Sequence, residues 1–378
     1  HEMRILIKAA VVCFALSAIV VVWLMIDDTL DKETRRWLEP PPAPASAALD
    51  AATHIRALAG AAEDEGISRS DLDPDHRCAQ LDEQCAHYVA QHRTQIMAAL
   101  PSNEAYWDAY QGVLRSQGLS AELERLTVHQ WQPYIAALKF SVIRELATFG
   151  TLRPEFMAAT VNAQRRLLAE SPFLVDKMIF AATTAMSFRA TKLALQTTPP
   201  DDEGFGALQQ ALRPLSPAEI SLRRVMGGEL RNMESQLQVA GVWSRLFFKR
   251  RHLLNLQRRM LAPVVEETEM AGVEFWGRRA HRPWQPTWWD ILFDPIGSRL
   301  AGIAAPAYAG YSVSLQILDV QATALRARAA ALSGEDFPSP GTTPESLAHW
   351  VWRQDGESLC LMPTAEAPRA PEVGPVCL

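Results

Sequence analysis

The chain has 378 residues, of which 48% are hydrophobic and 21% are charged, and its formal net charge at pH 7 is −6. A net negative charge argues against a general nucleic-acid-binding protein, which needs a basic surface. The length leaves room for a substantial hydrophobic core. The abundance of Ala, Leu, Arg, Glu and Gln, which are strong helix formers, favours an all-α fold.

The first predicted element is an apolar run over residues 5–26, which is interrupted only by Lys8. A helix of about 22 residues spans roughly 30 Å, the thickness of a hydrocarbon core. A secretory signal peptide has a shorter apolar region and small residues at its cleavage site. Because this run ends in bulky residues, Trp23 to Ile26, it predicts an uncleaved transmembrane anchor over residues 4–27.

The charges around this run predict its orientation. Arg4 and Lys8 lie on the amino side, and Asp27 and Asp28 follow the run. Positive charge stays on the cytoplasmic side of a membrane. We therefore expect a single-pass protein of the bacterial inner membrane, with a cytoplasmic amino terminus and the bulk of the chain in the periplasm.

Residues 28–46 predict a juxtamembrane helix, continuing from the anchor over residues 29–37, and then a proline-rich linker. The linker, Glu39-Pro40-Pro41-Pro42-Ala43-Pro44, favours a stiff, extended spacer. Residues 47–335 predict a periplasmic multi-helix domain with apolar residues at spacings of three and four. Its predicted helices cover residues 47–62, 85–100, 104–117, 131–149, 153–170, 173–195, 216–242, 242–272, 296–305 and 308–332. The break at residues 197–206 is compatible with a domain boundary or a surface loop, and a loop within one array is favoured because neither flank changes class.

The segment 336–378 predicts a small C-terminal β-hairpin and a tail. Two short strand-like runs over residues 349–362 flank Asp355-Gly356, a strong hairpin signal. The tail is expected to be loose unless Cys377 fixes it.

Five cysteines indicate the redox compartment. Cys13 lies in the apolar run, and an even number, Cys78, Cys85, Cys360 and Cys377, is exported, which suggests two disulfides. Local pairing, Cys78 with Cys85 and Cys360 with Cys377, is the economical choice. Cys78 and Cys85 on one helix would be about 10 Å apart, too far to bridge. The pairing therefore requires a bend, with the helix beginning near Asp82. Free thiols or a metal pair are the alternative.

Two surfaces are candidates for a partner or lipid contact. Arg245, Lys249, Arg250 and Arg251 alternate with Phe and Leu, a pattern that suits anionic headgroups. The alternative is a core helix whose basic residues pair with acidic ones. The aromatic stretch 278–295 is predicted to be a loop, and its Trp284, Trp288 and Trp289 either contact a partner or lipid or fill gaps between helices.

Catalytic motifs are missing from the sequence: there is no H-E-x-x-H, G-x-S-x-G, phosphate-binding loop or dinucleotide fingerprint. We expect no cofactor and no metal. Paired carboxylates from Glu266, Glu267, Glu269 and Glu274, together with His281, could perform acid–base chemistry, although successive acids on a helix usually form a solvated face.

Several stretches resemble single-span, mostly helical envelope proteins of Gram-negative bacteria. They are the Cys78 to Cys85 spacing with Ala86-His87, the run SLRRVMGGE over residues 221–229, and DPIG over residues 294–297 followed by APAY over residues 305–308. The C-terminal hairpin is also similar. The resemblance covers most of the exported part and implies no activity.

The sequence thus favours a non-catalytic, membrane-tethered periplasmic protein that binds or scaffolds another envelope protein. A chaperone or an immunity protein for a secreted effector would be a special case. The alternative is an envelope hydrolase that uses the carboxylates of residues 266–274.

Overall fold

A computed structural model describes most of the chain, from residue 14 to residue 377 with gaps. The described residues form sixteen α-helices and one small antiparallel sheet near the C-terminus, so the mostly helical fold is confirmed. Among them, no helix combines the length and apolar character that a membrane crossing requires. Most of the run over residues 5–26 lies outside this description. The described residues are 14–15, 17–18, 26–40, 51–64, 77–116, 119, 128–198, 204–237, 248–278, 285–304, 309–344, 347–356, 358–365 and 374–377.

The sixteen helices, α1 to α16, and the three strands, β1 to β3, follow one another in chain order. The helices are α1 Lys32–Leu38, α2 Ala51–Asp64, α3 Glu83–Gln91, α4 Arg93–Ala99, α5 Glu104–Arg115, α6 Val128–Phe149, α7 Pro154–Glu170, α8 Leu174–Thr197, α9 Gly204–Ala211, α10 Pro217–Ile220, α11 Arg223–Gln236, α12 Arg250–Glu269, α13 Gly272–Gly277, α14 Trp288–Phe293, α15 Pro295–Ala304 and α16 Ala309–Leu332. The strands are β1 Trp350–Asp355, β2 Ser358–Pro363 and β3 Val376–Cys377.

The chain divides into two compact units. The first combines His1–Pro40, Met226–Glu266 and His281–Gly310, and the second combines Pro41–Val225, Glu267–Ala280 and Tyr311–Leu378. Both flanks of the break at residues 197–206 belong to the second unit.

The second unit is built around α7 and α8. Pro154 occupies the first turn of α7, where its missing N–H is not needed. Aromatic rings fill the space beside these helices: the Phe180 ring meets Trp131 at 5.1 Å and Tyr134 at 5.6 Å, both edge to face. All three side chains are buried. Such edge-to-face pairs add stability beyond their buried area.

Three predicted helices are divided or displaced. Residues 26–31 are not helical, and Asp31 caps a separate helix, α1, so the predicted continuation of the anchor helix over residues 29–37 is wrong. The predicted helix over residues 85–100 is divided at His92. The one predicted over residues 216–242 ends at Ile220 and restarts at Arg223, because the Leu222 N–H donates to Thr268 Oγ1 (3.0 Å) rather than to a helical carbonyl.

Both predicted disulfide pairs are present. The sulfur atoms lie 2.12 Å apart in Cys78–Cys85 and 2.11 Å apart in Cys360–Cys377. Asp82 caps α3 through the Gln84 and Cys85 N–H groups, which is the predicted helix start. The hairpin is confirmed, with Asp355 opposite Ser358, and Gly356 adopts a positive φ of 61°. Strand β3 adds to β2, with Cys377 opposite Cys360, so the disulfide fixes the tail.

Candidate functional site

In the first unit, the segment that leaves the predicted anchor is fixed to one face of α12. The Lys249 ammonium donates to the Ile26 carbonyl (3.1 Å). Asp27 accepts from the backbone N–H of Arg251 (3.0 Å), at the positive end of the helix. The Asn255 amide donates to Asp28 Oδ2 and to the Thr29 carbonyl. Three consecutive residues after the apolar run are therefore held by hydrogen bonds.

The next turn, α1, continues this attachment. Asp31 caps the helix through the Thr34 N–H (2.6 Å) and accepts from Arg258 (2.7 Å). Burial alone would raise the pKa of Asp31, but these hydrogen bonds outweigh it and hold the pKa below its ordinary value. A Cβ on Gly227 would lie only 2.6 Å from the Trp37 carbonyl oxygen. The close packing of α1 against α11 therefore requires a glycine at this position of α11.

Helix α14 was not predicted within the aromatic stretch, and a capping box begins it. Thr287 Oγ1 accepts from the Asp290 N–H, while the Asp290 carboxylate accepts from the Thr287 N–H (2.8 Å). Asp290 is buried, and its Oδ1 lies 3.5 Å from His252 Nε2. The other ring nitrogen of His252 lies 3.4 Å from Asp28 Oδ2. His252 thus lies between α14 and the segment that follows the apolar run.

The motif DPIG covers Asp294, the residue between α14 and α15, and the first three residues of α15. The buried Asp294 carboxylate accepts from the Gly297 N–H (2.9 Å), and a Cβ on Gly297 would lie 2.1 Å from Asp294 Oδ2. Burial raises the pKa of Asp294. A side chain at position 297 would therefore displace the Asp294 carboxylate.

The four basic candidates have different environments. Lys249 is buried, its ammonium lies 4.5 Å from the centre of the Phe293 ring, and burial lowers its pKa. It is therefore not available to a partner, which corrects its assignment as a contact residue. Arg250 donates to the Glu234 carbonyl (2.7 Å) and pairs with its carboxylate. Arg251 is exposed, and Arg245 lies outside the described residues.

Trp288 and Trp289 are exposed and stack on each other with ring centroids 3.8 Å apart. The interpretation that they fill gaps between helices is wrong for these two residues. Trp284 lies outside the described residues.

The carboxylates considered for catalysis have different environments, and Glu267 is the buried one. Glu266 and Glu274 are exposed, and Glu274 lies on the separate helix α13. Glu269 accepts from Arg223 at 2.7 and 2.6 Å, and this pairing lowers its pKa. A general acid needs a raised pKa, so Glu269 is unsuited to that role. His281 lies outside the described residues.

In the second unit, two neighbouring cavities lie along the carboxyl-terminal half of α8. One has a volume of about 340 Å³ and is bounded by α8, α16 and the hairpin, including Arg328, Phe337 and Leu359. The other, about 650 Å³, lies between α8 and the loop closed by the Cys78–Cys85 disulfide. Lys192 and Gln196 line both. We call the two cavities together the α8 groove.

Charge is distributed unevenly around the α8 groove. Arg189 and Lys192 line the larger cavity opposite Asp82 and Glu83. The Lys192 ammonium also donates to the Cys377 carbonyl (3.0 Å). Each disulfide therefore adjoins one wall of the groove, and both walls are constrained before any ligand binds.

Among the described residues, Asp355, Cys360 and Cys377 bring three ligand-type atoms within 4.8 Å of one another. The two sulfur atoms are bonded to each other, so they cannot ligate a metal ion.

No protein-family model matches this chain, and no similar curated protein or solved structure was found. The geometry alone therefore carries the functional argument. Sequence reasoning missed the α8 groove, although the spacing of Arg189, Lys192 and Gln196 marks one polar stripe on a largely buried helix. It also missed the Thr287–Asp290 capping signal.

Proposed function

We propose that this chain is a non-catalytic, membrane-tethered periplasmic protein that binds or scaffolds another envelope protein through the α8 groove. Residues 5–26 form the tether in the inner membrane, with the amino terminus in the cytoplasm. The length of the run and the charges around it support this topology. The two disulfides suit an oxidising compartment.

The α8 groove is the observation that carries the binding role. Its lining combines the apolar Phe337 and Pro340 with charged side chains, and one wall contributes Asp82 and Glu83. Such a surface suits a polypeptide segment that has both apolar and charged residues. Walls that are already constrained reduce the entropy lost on binding.

Attachment of the first unit to its anchor supports a scaffolding role. Hydrogen bonds from Lys249 and from α12 hold Ile26, Asp27 and Asp28, so the first unit is not joined to the tether by a flexible linker at this point. A partner that is also bound to the membrane would meet a protein of restricted orientation.

The test is photocrosslinking in intact cells that produce the full-length chain with Gln196→p-benzoylphenylalanine, at an exposed position that lines both cavities. We expect one discrete protein adduct. The same substitution at Gln95, an exposed position on α4, is the positional control and should not give that adduct.

A charge reversal tests whether the adduct depends on the groove. Arg189→Glu combined with Lys192→Glu should abolish it, whereas Arg115→Glu, at an exposed basic residue on α5, should leave it unchanged. An adduct that persists in the double variant, or forms equally at Gln95, would show that the groove does not bind the partner.

A further inference from the structure

Helices α14 and α15 expose large apolar side chains. Exposed fractions are 62% for Trp288, 56% for Trp289, 51% for Ile291, 54% for Leu292, 48% for Ile296 and 46% for Leu300. We call these six side chains the apolar face. Six large apolar side chains exposed within 13 residues are unusual at a water surface, and exposed apolar surface of this kind marks a protein or membrane interaction site.

The burial pattern of these helices is the reverse of that in a water-soluble protein. On α14 the charged residue, Asp290, is buried against His252, while its apolar neighbours are exposed. On α15 the small residues Gly297, Ser298 and Ala301 are buried. A helix at a water surface turns its apolar residues inward, whereas small residues inward and large apolar residues outward are typical of helices in lipid.

The apolar face lies beside the end of the apolar run. The Lys249 ammonium contacts both the Ile26 carbonyl, at 3.1 Å, and the Phe293 ring of α14, at 4.5 Å from its centre. The His252 ring lies between Asp28 and Asp290. The chain therefore leaves the run next to α14, and both belong to the first unit.

This position identifies the occupant by its chemistry. If residues 5–26 span the bilayer, Ile26 lies at the level of the outer headgroups, and α14 lies at that level too. Tryptophan is enriched at this depth, where its ring is partly apolar and its N–H polar. Arg251 and Arg299 are exposed in the same unit and can meet anionic headgroups.

We propose that α14 and α15 form an interfacial membrane anchor, whose apolar face inserts into the periplasmic leaflet of the inner membrane. This inference rests on the tether in the proposed function and does not involve the α8 groove. The bilayer is preferred to a protein partner because the apolar face adjoins the run that enters the bilayer. The side chains that insert are Trp288, Trp289, Ile291, Leu292, Ile296 and Leu300.

The experiment uses the full-length chain in nanodiscs of phosphatidylethanolamine and phosphatidylglycerol that contain a phospholipid with a photoactivatable group on its upper acyl chain. After irradiation, labelled peptides are identified by mass spectrometry. We expect label in residues 5–26 and also in residues 285–304. Label in residues 5–26 alone would overturn the interfacial anchor and leave the tether intact. Label in neither region would overturn both.

A double variant tests whether the labelling of residues 285–304 depends on the apolar face. Trp288→Ser combined with Leu292→Ser should reduce the labelling of residues 285–304 while residues 5–26 remain labelled. The matched control is Phe149→Ser, which removes an apolar side chain of similar exposure, 49%, on α6. Undiminished labelling of residues 285–304 in the double variant would contradict the proposal.

A second arm in intact cells separates lipid from protein. In cells that produce the chain with Trp289→p-benzoylphenylalanine, irradiation should give a phospholipid adduct at that position. A discrete protein adduct at residue 289 would overturn the proposal and assign the face to a protein partner.

Discussion

Two basic side chains lie in the interior of the second unit, and they are accommodated in different ways. Arg165 is 1% exposed and donates to both Glu219 oxygens, at 2.6 and 2.9 Å, and to three backbone carbonyls. Burial would raise the pKa of Glu219, but the hydrogen bond from Arg165 outweighs it and holds the pKa below its ordinary value. This ion pair joins α7 to α10.

Glu219→Gln should lower the free energy of unfolding by about 3–5 kcal/mol, because it leaves the Arg165 charge buried without a counter-ion. Urea unfolding of the detergent-solubilised chain, followed by circular dichroism, measures the change. Arg36→Gln is the control, since its pair with Glu33 is exposed and should be worth less than about 1 kcal/mol. Equal effects of the two substitutions would contradict this assignment.

The buried Lys177 ammonium donates to two backbone carbonyls, those of Leu168 (2.8 Å) and Ala218 (3.1 Å). Within the part of the chain that the structure describes, it forms no hydrogen bond to a carboxylate. Burial lowers its pKa from 10.5 to about 7. Between these values the unfolded chain binds more protons than the folded chain at this site, so raising the pH favours folding.

We therefore expect the unfolding free energy of the natural chain, relative to Lys177→Met, to increase between pH 7 and pH 10. The increase should be at most about 3.5 kcal/mol. Other titrating groups are common to both chains and cancel in the difference. Parallel pH profiles would show that Lys177 keeps an ordinary pKa in the folded state.

At the scale of elements, the junction of α14 and α15 depends on a glycine in the first turn of α15. Gly297→Ala places a methyl group against the Asp294 carboxylate, 2.1 Å from Oδ2, and should cost about 1–3 kcal/mol by overpacking. Hydrogen exchange in residues 288–304 should accelerate. Gly60→Ala on α2 is the control, because no atom lies within 4 Å of its added Cβ. Unchanged exchange in residues 288–304 would mean that the turn can relax.

The C-terminal disulfide closes a separation of 17 residues and attaches β3 to β2. Replacing Cys360 and Cys377 together by Ser should lower the unfolding free energy by about 3 kcal/mol and remove the hydrogen-exchange protection of β3. Cys13→Ser is the control and should have no such effect. If stability and protection were unchanged, strand pairing alone would hold the tail.

At the scale of the whole molecule, local signals in the sequence predicted local structure well. The hairpin at Asp355-Gly356 and the bend before Asp82 depend on turn and capping chemistry within a few residues. The apolar spacing in residues 131–195 likewise predicted α6, α7 and α8, because each helix packs a wide apolar surface into the core.

Contacts between distant residues were not predictable. The break at Ser221 depends on Thr268, and the extended segment at residues 26–31 depends on Asn255, more than 200 residues away in the chain. The α8 groove brings residues near 80, 192 and 358 together, and no spacing in the sequence encodes that proximity. For Trp288 and Trp289 the sequence leaves two alternatives open, contact with a partner or lipid and gap filling between helices. Burial distinguishes them only in three dimensions, where Asp290 rather than either tryptophan is the buried residue of α14.

The central claim is that residues 5–26 tether an exported chain to the inner membrane. Proteolysis of spheroplasts with externally added protease tests it most directly, with detection of both the amino-terminal and the carboxyl-terminal segments. We predict that the chain is cut beyond Ile26 without permeabilisation, leaving a short membrane-protected amino-terminal fragment. A long portion that becomes sensitive only after the membrane is opened, or a mature chain that begins after Ile26, would contradict the account.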